Sequence, residues 1–200
     1  FICAQGFYEG SSALIFFDQD TIFNHETLKF ITEYYLQHPE FESKYSAVVF
    51  NSKNKGKEIN GKCFKNVPLA INSGSLFYLS NLKNMKWHSE KYFVDCVDYE
   101  FCFRSRKNGL LIGEYSCTPG FDHVTEQADK EYTIFGRSYL FRAYSSSRIL
   151  DASISSIKLI FEALISGDIG FSLKIAKLFF IYIASQIGVR FMDATTEKRV

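Results

Sequence analysis

The sequence predicts an α/β protein: a mixed, mostly parallel sheet flanked by helices, followed by a helical C-terminal extension. Two short apolar runs, Ala13–Phe17 (ALIFF) and Ser46–Phe50 (SAVVF), have the length and side-chain types of strands buried on both faces, as in a parallel sheet. Segments with apolar residues at helical spacing alternate with such runs as far as about residue 125. Beyond Glu131 the strand signals give way to two apolar helical patterns. The expected division is residues 1–130 as the sheet domain and 131–200 as the helical extension.

The first run, Ala13–Phe17, ends abruptly in Asp18-Gln19-Asp20. Asn24 is placed to cap a helix carrying Leu28, Ile31, Tyr34 and Tyr35, which Pro39 terminates. Ser46–Phe50 is the second strand, and the Lys-, Asn- and Gly-rich stretch from Asn51 to Lys65 reads as an exposed loop. Asn72-Ser73-Gly74-Ser75 leads into a third strand, Leu76–Leu79, with Ser80 as cap of a short helix. A further helix is expected from Val97 to Asn108 with Gly109 as its stop, then a strand from Leu110 to Tyr115. In the extension, Ile154, Ile157, Phe161, Leu164 and Ile165 share one helical face that Gly167 closes. The last helix, Phe171 to about Phe191, is apolar nearly all round, yet its uninterrupted run from Leu178 to Val189 falls short of the roughly 20 residues of a spanning helix. Internal packing, an interfacial position and a bilayer span all remain open for it.

Two hundred residues suffice for one domain with a full core. With 23 basic against 22 acidic residues, no bulk field draws the chain onto nucleic acid. The five cysteines (Cys3, Cys63, Cys96, Cys102 and Cys117) have no C-x-x-C spacing, so reduced thiols in a cytosolic protein are expected rather than a disulfide framework or zinc finger. The opening FICAQG lacks an initiator Met and the features of a signal peptide, and reads as the middle of a longer protein.

Three clusters carry chemistry. Asp18 and Asp20 follow a strand, where an open α/β sheet places ligand groups, and paired carboxylates suit a hard cation such as Mg²⁺ or Mn²⁺; the same pattern also serves as a plain acidic turn. Asp95, Asp98 and Glu100, with Arg104 and Arg106, cluster around the start of the 97–108 helix. Acids there favour the helix dipole, and Glu100–Arg104 has surface-pair spacing. Apolar packaging by Phe93, Val97, Phe101 and Phe103 would instead raise a carboxyl pKa toward that of a general base. His123, beside Asp122 after a strand, is a candidate metal ligand.

Together these pieces resemble family 2 glycosyltransferases of the GT-A fold, in particular bacterial rhamnosyltransferase-like members. The resemblance rests on ALIFFDQD with Thr21, on INSGSLFYLSNLKNM (Ile71–Met85), on YFVDCVDYEFCFRSRKNG and on His123, in the family's order. It covers about residues 10–125. It implies a GT-A-like sheet whose N-terminal nucleotide-binding strands are missing, and a fragment inactive alone. It further implies a divalent cation (Mg²⁺ or Mn²⁺) held by Asp18, Asp20 and His123, with Asp98 as catalytic base. Ser73, Gly74, Asp95, Glu100 and Arg104 would line or support the substrate site, Gly74 because a side chain there would block close approach.

The implied reaction is inverting transfer from a nucleotide-sugar, with dTDP-rhamnose favoured, to a glycan or polyprenyl-diphosphate-linked acceptor in cell-surface polysaccharide synthesis. That places the protein in the cytoplasm, peripherally at the inner face of the membrane, with no nucleic-acid partner. The competing reading is a non-catalytic glycan-binding or membrane-associated interaction protein of the same lineage.

Overall fold

A computed structural model describes residues 2–50, 63–92, 95–124, 130–134 and 137–197. The chain forms two compact units, residues 1–93 with 97–124, and residues 94–96 with 125–200. The first unit runs α1 (Ile2–Tyr8), β1 (Ala13–Phe16), β2 (Thr21–Ile22), α2 (His25–Gln37), β3 (Tyr45–Val49), β4 (Phe64–Asn66), β5 (Ser75–Tyr78), α3 (Leu79–Asn84), α4 (Val97–Lys107), β6 (Leu111–Tyr115) and β7 (Asp122–His123). The second contains β8 (Lys130–Ile134), β9 (Arg137–Phe141), α5 (Ser146–Ile165) and α6 (Ile169–Glu197).

The first unit is mixed α/β, built on a five-stranded sheet of order β1-β5-β3-β6-β4. β3 and β6 pair in parallel, whereas β1–β5, β5–β3 and β4–β6 are antiparallel. The expected mostly parallel sheet is thus corrected. An apolar run reports burial and says nothing of direction, and β5 enters between β1 and β3 running against both. β1 itself lies at the sheet edge, with Phe16 40% exposed, while the central β3 and β5 are buried along their whole length.

Alternation along the central strands divides the side chains between two helical layers. Val48, Phe50, Leu76 and Tyr78 join Ile31 and Tyr34 of α2 in one buried cluster. On the other face Phe77 meets Phe101 of α4 edge-on, and Ser46 donates to Ser105 of α4 at 2.8 Å. Much of the aromatic content is in the first layer, where the rings of Phe30, Tyr34, Phe41, Phe50 and Tyr115 contact one another. α2 begins as expected, with Asn24 Oδ1 accepting from the Thr27 N–H at 3.1 Å, and the left-handed Gly109 (φ 72°) follows α4.

Three local expectations are corrected. The stretch read as a loop from 51 to 65 ends in strand β4, too short at the sheet edge to show an alternating pattern; residues 51–62 lie outside the described residues. α3 starts at Leu79 with Tyr78 at its N-cap, and Ser80 inside the helix donates to Glu42 Oε1 at 2.6 Å instead of capping. Cys63 and Cys117 form a disulfide, against the expectation of reduced thiols. Antiparallel pairing of Phe64 with Tyr115 brings these cysteines together although 54 residues separate them. Spacing along the chain carries no sign of that contact.

In the second unit β8 and β9 pair as an antiparallel hairpin, a strand feature within the extension expected to be helical. α5 is capped by Ser145, whose side chain accepts from the Arg148 N–H, and Gly167 (φ 83°) follows it. α5 packs on α6, and its buried residues are Ala152, Ser156, Leu159 and Ala163, three of them small enough to let the helices approach closely. Gln186 and Arg190 of α6 tie down the segment before α5: Gln186 donates to the Arg142 carbonyl at 3.0 Å and accepts from the Tyr144 N–H at 3.0 Å. The face of α5 bearing Ile154, Ile157, Phe161, Leu164 and Ile165 is exposed. Within α6, Ile169–Phe191 is long and apolar enough to cross a membrane by length and composition, and 22% of its most apolar window is buried.

Gly113 of β6 makes room for a neighbouring strand's ring. A Cβ there would lie 2.4 Å from Cζ of Phe64, which is wedged against Phe41 and Tyr45. Gly113→Ala is expected to destabilise the protein by about 1–3 kcal/mol through overpacking, read as a lower urea midpoint at unchanged m-value.

Candidate functional site

The site is assembled where β1, β3 and β6 end and β5 begins, from the turn Asn72-Ser73-Gly74 outward. Gly74 adopts a left-handed conformation (φ 73°), donates to the Phe16 carbonyl at 2.9 Å and accepts from the Phe50 N–H at 2.9 Å. Its glycine is therefore needed for backbone conformation, a different reason from the close approach expected above. Ser73 is fully buried, and its Oγ accepts from the Asp18 N–H at 3.2 Å and lies 3.0 Å from Thr21 Oγ1. One hydroxyl thus fixes both ends of the Asp18–Thr21 turn. Thr21 N–H closes that turn on the Asp18 carbonyl at 3.1 Å.

Asp98, in the first turn of α4, faces this loop. Burial, followed by the negative charge of Asp18, raises its pKa to about 6, while hydrogen bonds from the backbone and side chain of Asn72 pull it down. Burial and like charge outweigh the hydrogen bonds, which leaves a carboxyl that titrates close to neutrality. Such a group is ionised at pH 7 yet basic enough to accept a proton in a reaction.

His123 belongs to β7, which pairs with β2 in the register Thr21–His123. This short ladder returns the chain to the Asp18–Asp20 turn, where Val124 N–H donates to the Asp20 carbonyl at 2.9 Å. His123 Nδ1 lies 3.5 Å from Asp20 Oδ1, with both side chains about one-third exposed. The first unit therefore brings Asp18, Asp20, Ser73, Gly74, Asp98 and His123 to one end of its sheet.

Glu100 and Arg104 have a different setting. Glu100 is buried and ion-paired to Arg104 at 2.5 Å, and Arg104 Nη1 donates to the carbonyls of Met85 and Trp87. The pair fastens α4 to the turn after α3, where Lys86 and Trp87 have positive φ. Nearby, His88 stacks on Phe101, and burial with the adjacent Arg104 charge lowers its pKa to about 4, so it is neutral at pH 7. Phe101 and Phe103, expected to wrap the acids, are core residues. Phe93 lies outside the described residues.

Asp95 belongs to the second unit. Burial raises its pKa against the opposing charge of Arg148, with Asp151 adding to the rise. Cys96 Sγ lies 3.3 Å from Ser156 Oγ in the same unit.

No family model, curated protein or solved structure gives a significant match to this chain. Its chemistry must be read from its own geometry. Among the described residues no group of three or more His, Cys, Asp or Glu side chains is gathered into a metal cluster. Asp20 and His123 nonetheless form an oxygen–nitrogen pair beside Asp18. A donor set of that kind fits Mg²⁺ or Mn²⁺ bound jointly with the phosphates of a ligand, because these ions keep few protein ligands in phosphate sites. Asn72 is the residue missed in the sequence. Its position immediately before Ser73-Gly74 was visible, but its bond to an acid in α4 was not.

The raised pKa of Asp98 makes its ionisation a cost to folding. The contribution is absent while the group is protonated in both states, below about pH 4, and grows as pH rises through about 6. In chelated buffer, Asp98→Asn is expected to match the wild type at pH 4 and to exceed it at pH 7.5 by up to about 3 kcal/mol. Urea melts across this range check the difference.

Proposed function

We propose that this protein is an inverting glycosyltransferase that uses a nucleotide-sugar donor, with Asp98 as the base that activates the acceptor hydroxyl. The observation that carries the reading is the buried Asp98 carboxyl, titrating at about 6 beside the Asp18 turn and held by Asn72. Carboxyls with strongly raised pKa values cluster at catalytic sites, and a binding module has no need of Asp18, Asp20 and Asp98 together. The resemblance to rhamnosyltransferase-like family 2 enzymes supplies the reaction class and the preference for dTDP-rhamnose.

In this reading Asn72 orients Asp98 toward the acceptor, and Asp98 takes the hydroxyl proton as the oxygen attacks the anomeric carbon. The nucleoside diphosphate leaves from the opposite face of the sugar. Ser73 and Thr21 hold the Asp18–Asp20 turn in place, so the carboxylates do not reorganise as charge develops. A divalent cation at the Asp20–His123 pair, beside Asp18, would supply positive charge to the diphosphate. No covalent nucleophile is required. The acceptor in this reading is a glycan or a polyprenyl-diphosphate-linked glycan.

The test, made in the complete protein, is titration calorimetry of nucleoside-diphosphate sugars with and without Mn²⁺, paired with a transfer assay. Asp98→Asn is expected to retain Mn²⁺-dependent nucleotide binding and to lower kcat by about 10²–10⁴-fold. Asp20→Asn is expected to weaken the binding itself. Undiminished turnover in Asp98→Asn would remove the base assignment. Absence of binding to every nucleoside-diphosphate sugar would remove the reaction class.

A further inference from the structure

The second unit carries an apolar surface that the catalytic reading leaves unused. On α5, Leu150, Ile154, Ile157, Phe161 and Leu164 are between 43% and 60% exposed, and Ile165 is 86% exposed. Their spacing alternates strictly between four and three residues from Leu150 to Leu164, which is the spacing of a coiled-coil seam. The row extends about 22 Å along the helix. It lies opposite Ala152, Ser156, Leu159 and Ala163, the residues packed on α6, so α5 has two apolar seams and its own hairpin fills one.

The outer row of α6 has similar spacing through Leu173, Phe180, Ile187 and Phe191, but Lys177 and Ala184 interrupt it. The α5 row has no such interruption. Its charged neighbours indicate what covers it. Residues 146–165 contain Arg148 and Lys158 against Asp151 and Glu162, two of each sign, which gives an anionic bilayer no net attraction. Asp151 and Lys158 follow Leu150 and Ile157 directly and flank the same edge of the row, seven residues apart.

An antiparallel twofold arrangement satisfies this pattern with a single surface. Leu150 of one copy then lies opposite Phe161 of the other, and Ile154 opposite Ile157. In the same register Asp151 of each copy comes beside Lys158 of the other. The row is thus complementary to itself in both apolar layers and charge.

We infer that the outer face of α5 is a homodimerisation seam, occupied by α5 of a second copy of this chain in antiparallel register. The pairing converts two α5–α6 hairpins into a helical bundle with α5 from each copy at its centre. It is independent of the catalytic assignment, since it uses no residue of the Asp98 site.

Sedimentation velocity of the full chain over a concentration series tests the seam, with circular dichroism to verify helix content in each variant. The wild type is expected to dimerise, and Ile157→Glu and Phe161→Glu are each expected to raise the dissociation constant at least about tenfold. Asp151→Lys and Lys158→Asp should each weaken the dimer, and the double substitution should restore most of the lost affinity. A wild type that stays monomeric, or a dimer indifferent to Ile157→Glu, overturns the proposal. So does a double charge swap no tighter than the single ones. Co-sedimentation of a monomeric wild type with phosphatidylcholine/phosphatidylglycerol vesicles, lost in Ile157→Glu, would assign the face to lipid and overturn it equally.

Discussion

The turn Asn72-Ser73-Gly74 is the constraint on which the rest of the site depends. Gly74 joins the ends of β1 and β3 through its N–H and carbonyl, Ser73 fixes the Asp18 turn with one buried hydroxyl, and Asn72 bonds Asp98. Three adjacent residues thereby set the relative positions of two sheet strands, an acidic loop and the first turn of α4. The left-handed backbone at Gly74 allows the three side-chain and backbone groups to point in different directions from one short turn. Fastening α4 from its other side, Arg104, ion-paired to the buried Glu100, donates to the carbonyls of Met85 and Trp87 after α3. Asp98 is consequently held on a rigid element between two anchors, and its elevated pKa is a cost that the fold sustains.

The same separation of roles runs through the aromatic residues. Rings near acids in the sequence suggested apolar packaging of a catalytic group. In the structure Phe101 stacks on His88 and meets Phe77 edge-on, and Phe30, Tyr34, Phe41, Phe50 and Tyr115 fill the layer beneath α2. Asp98 is desolvated in the first turn of α4, and burial is the largest cause of its raised pKa. The disulfide between Cys63 and Cys117 adds a covalent tie at the β4 edge, on the strand pair that Gly113 allows to close.

Local features were legible in the sequence because they depend on neighbours along the chain. Asn24 capping α2, Gly109 closing α4 and the strands at Ala13 and Ser46 follow from capping chemistry and burial. The grouping of Asp18, Asp20, Ser73, Gly74, Asp98 and His123 was legible only through their order in a familiar motif series. Strand direction was not legible, since antiparallel β5 is as apolar as a parallel strand would be. Long-range partners were equally hidden: nothing near Cys63 points to Cys117, and nothing near Asn72 points to α4. On α5 the helical period was plain, but it did not show which of two apolar faces would be covered by α6.

Burial and the neighbouring Asp18 charge hold Asp98 poised near neutrality. Carbon-13 NMR titration of the Asp98 carboxyl measures this without reference to substrate. A midpoint near 6 is expected, moving down in Asp18→Asn and up in Asn72→Ala. A midpoint near the ordinary aspartate value of about 4, unmoved by either substitution, would contradict it.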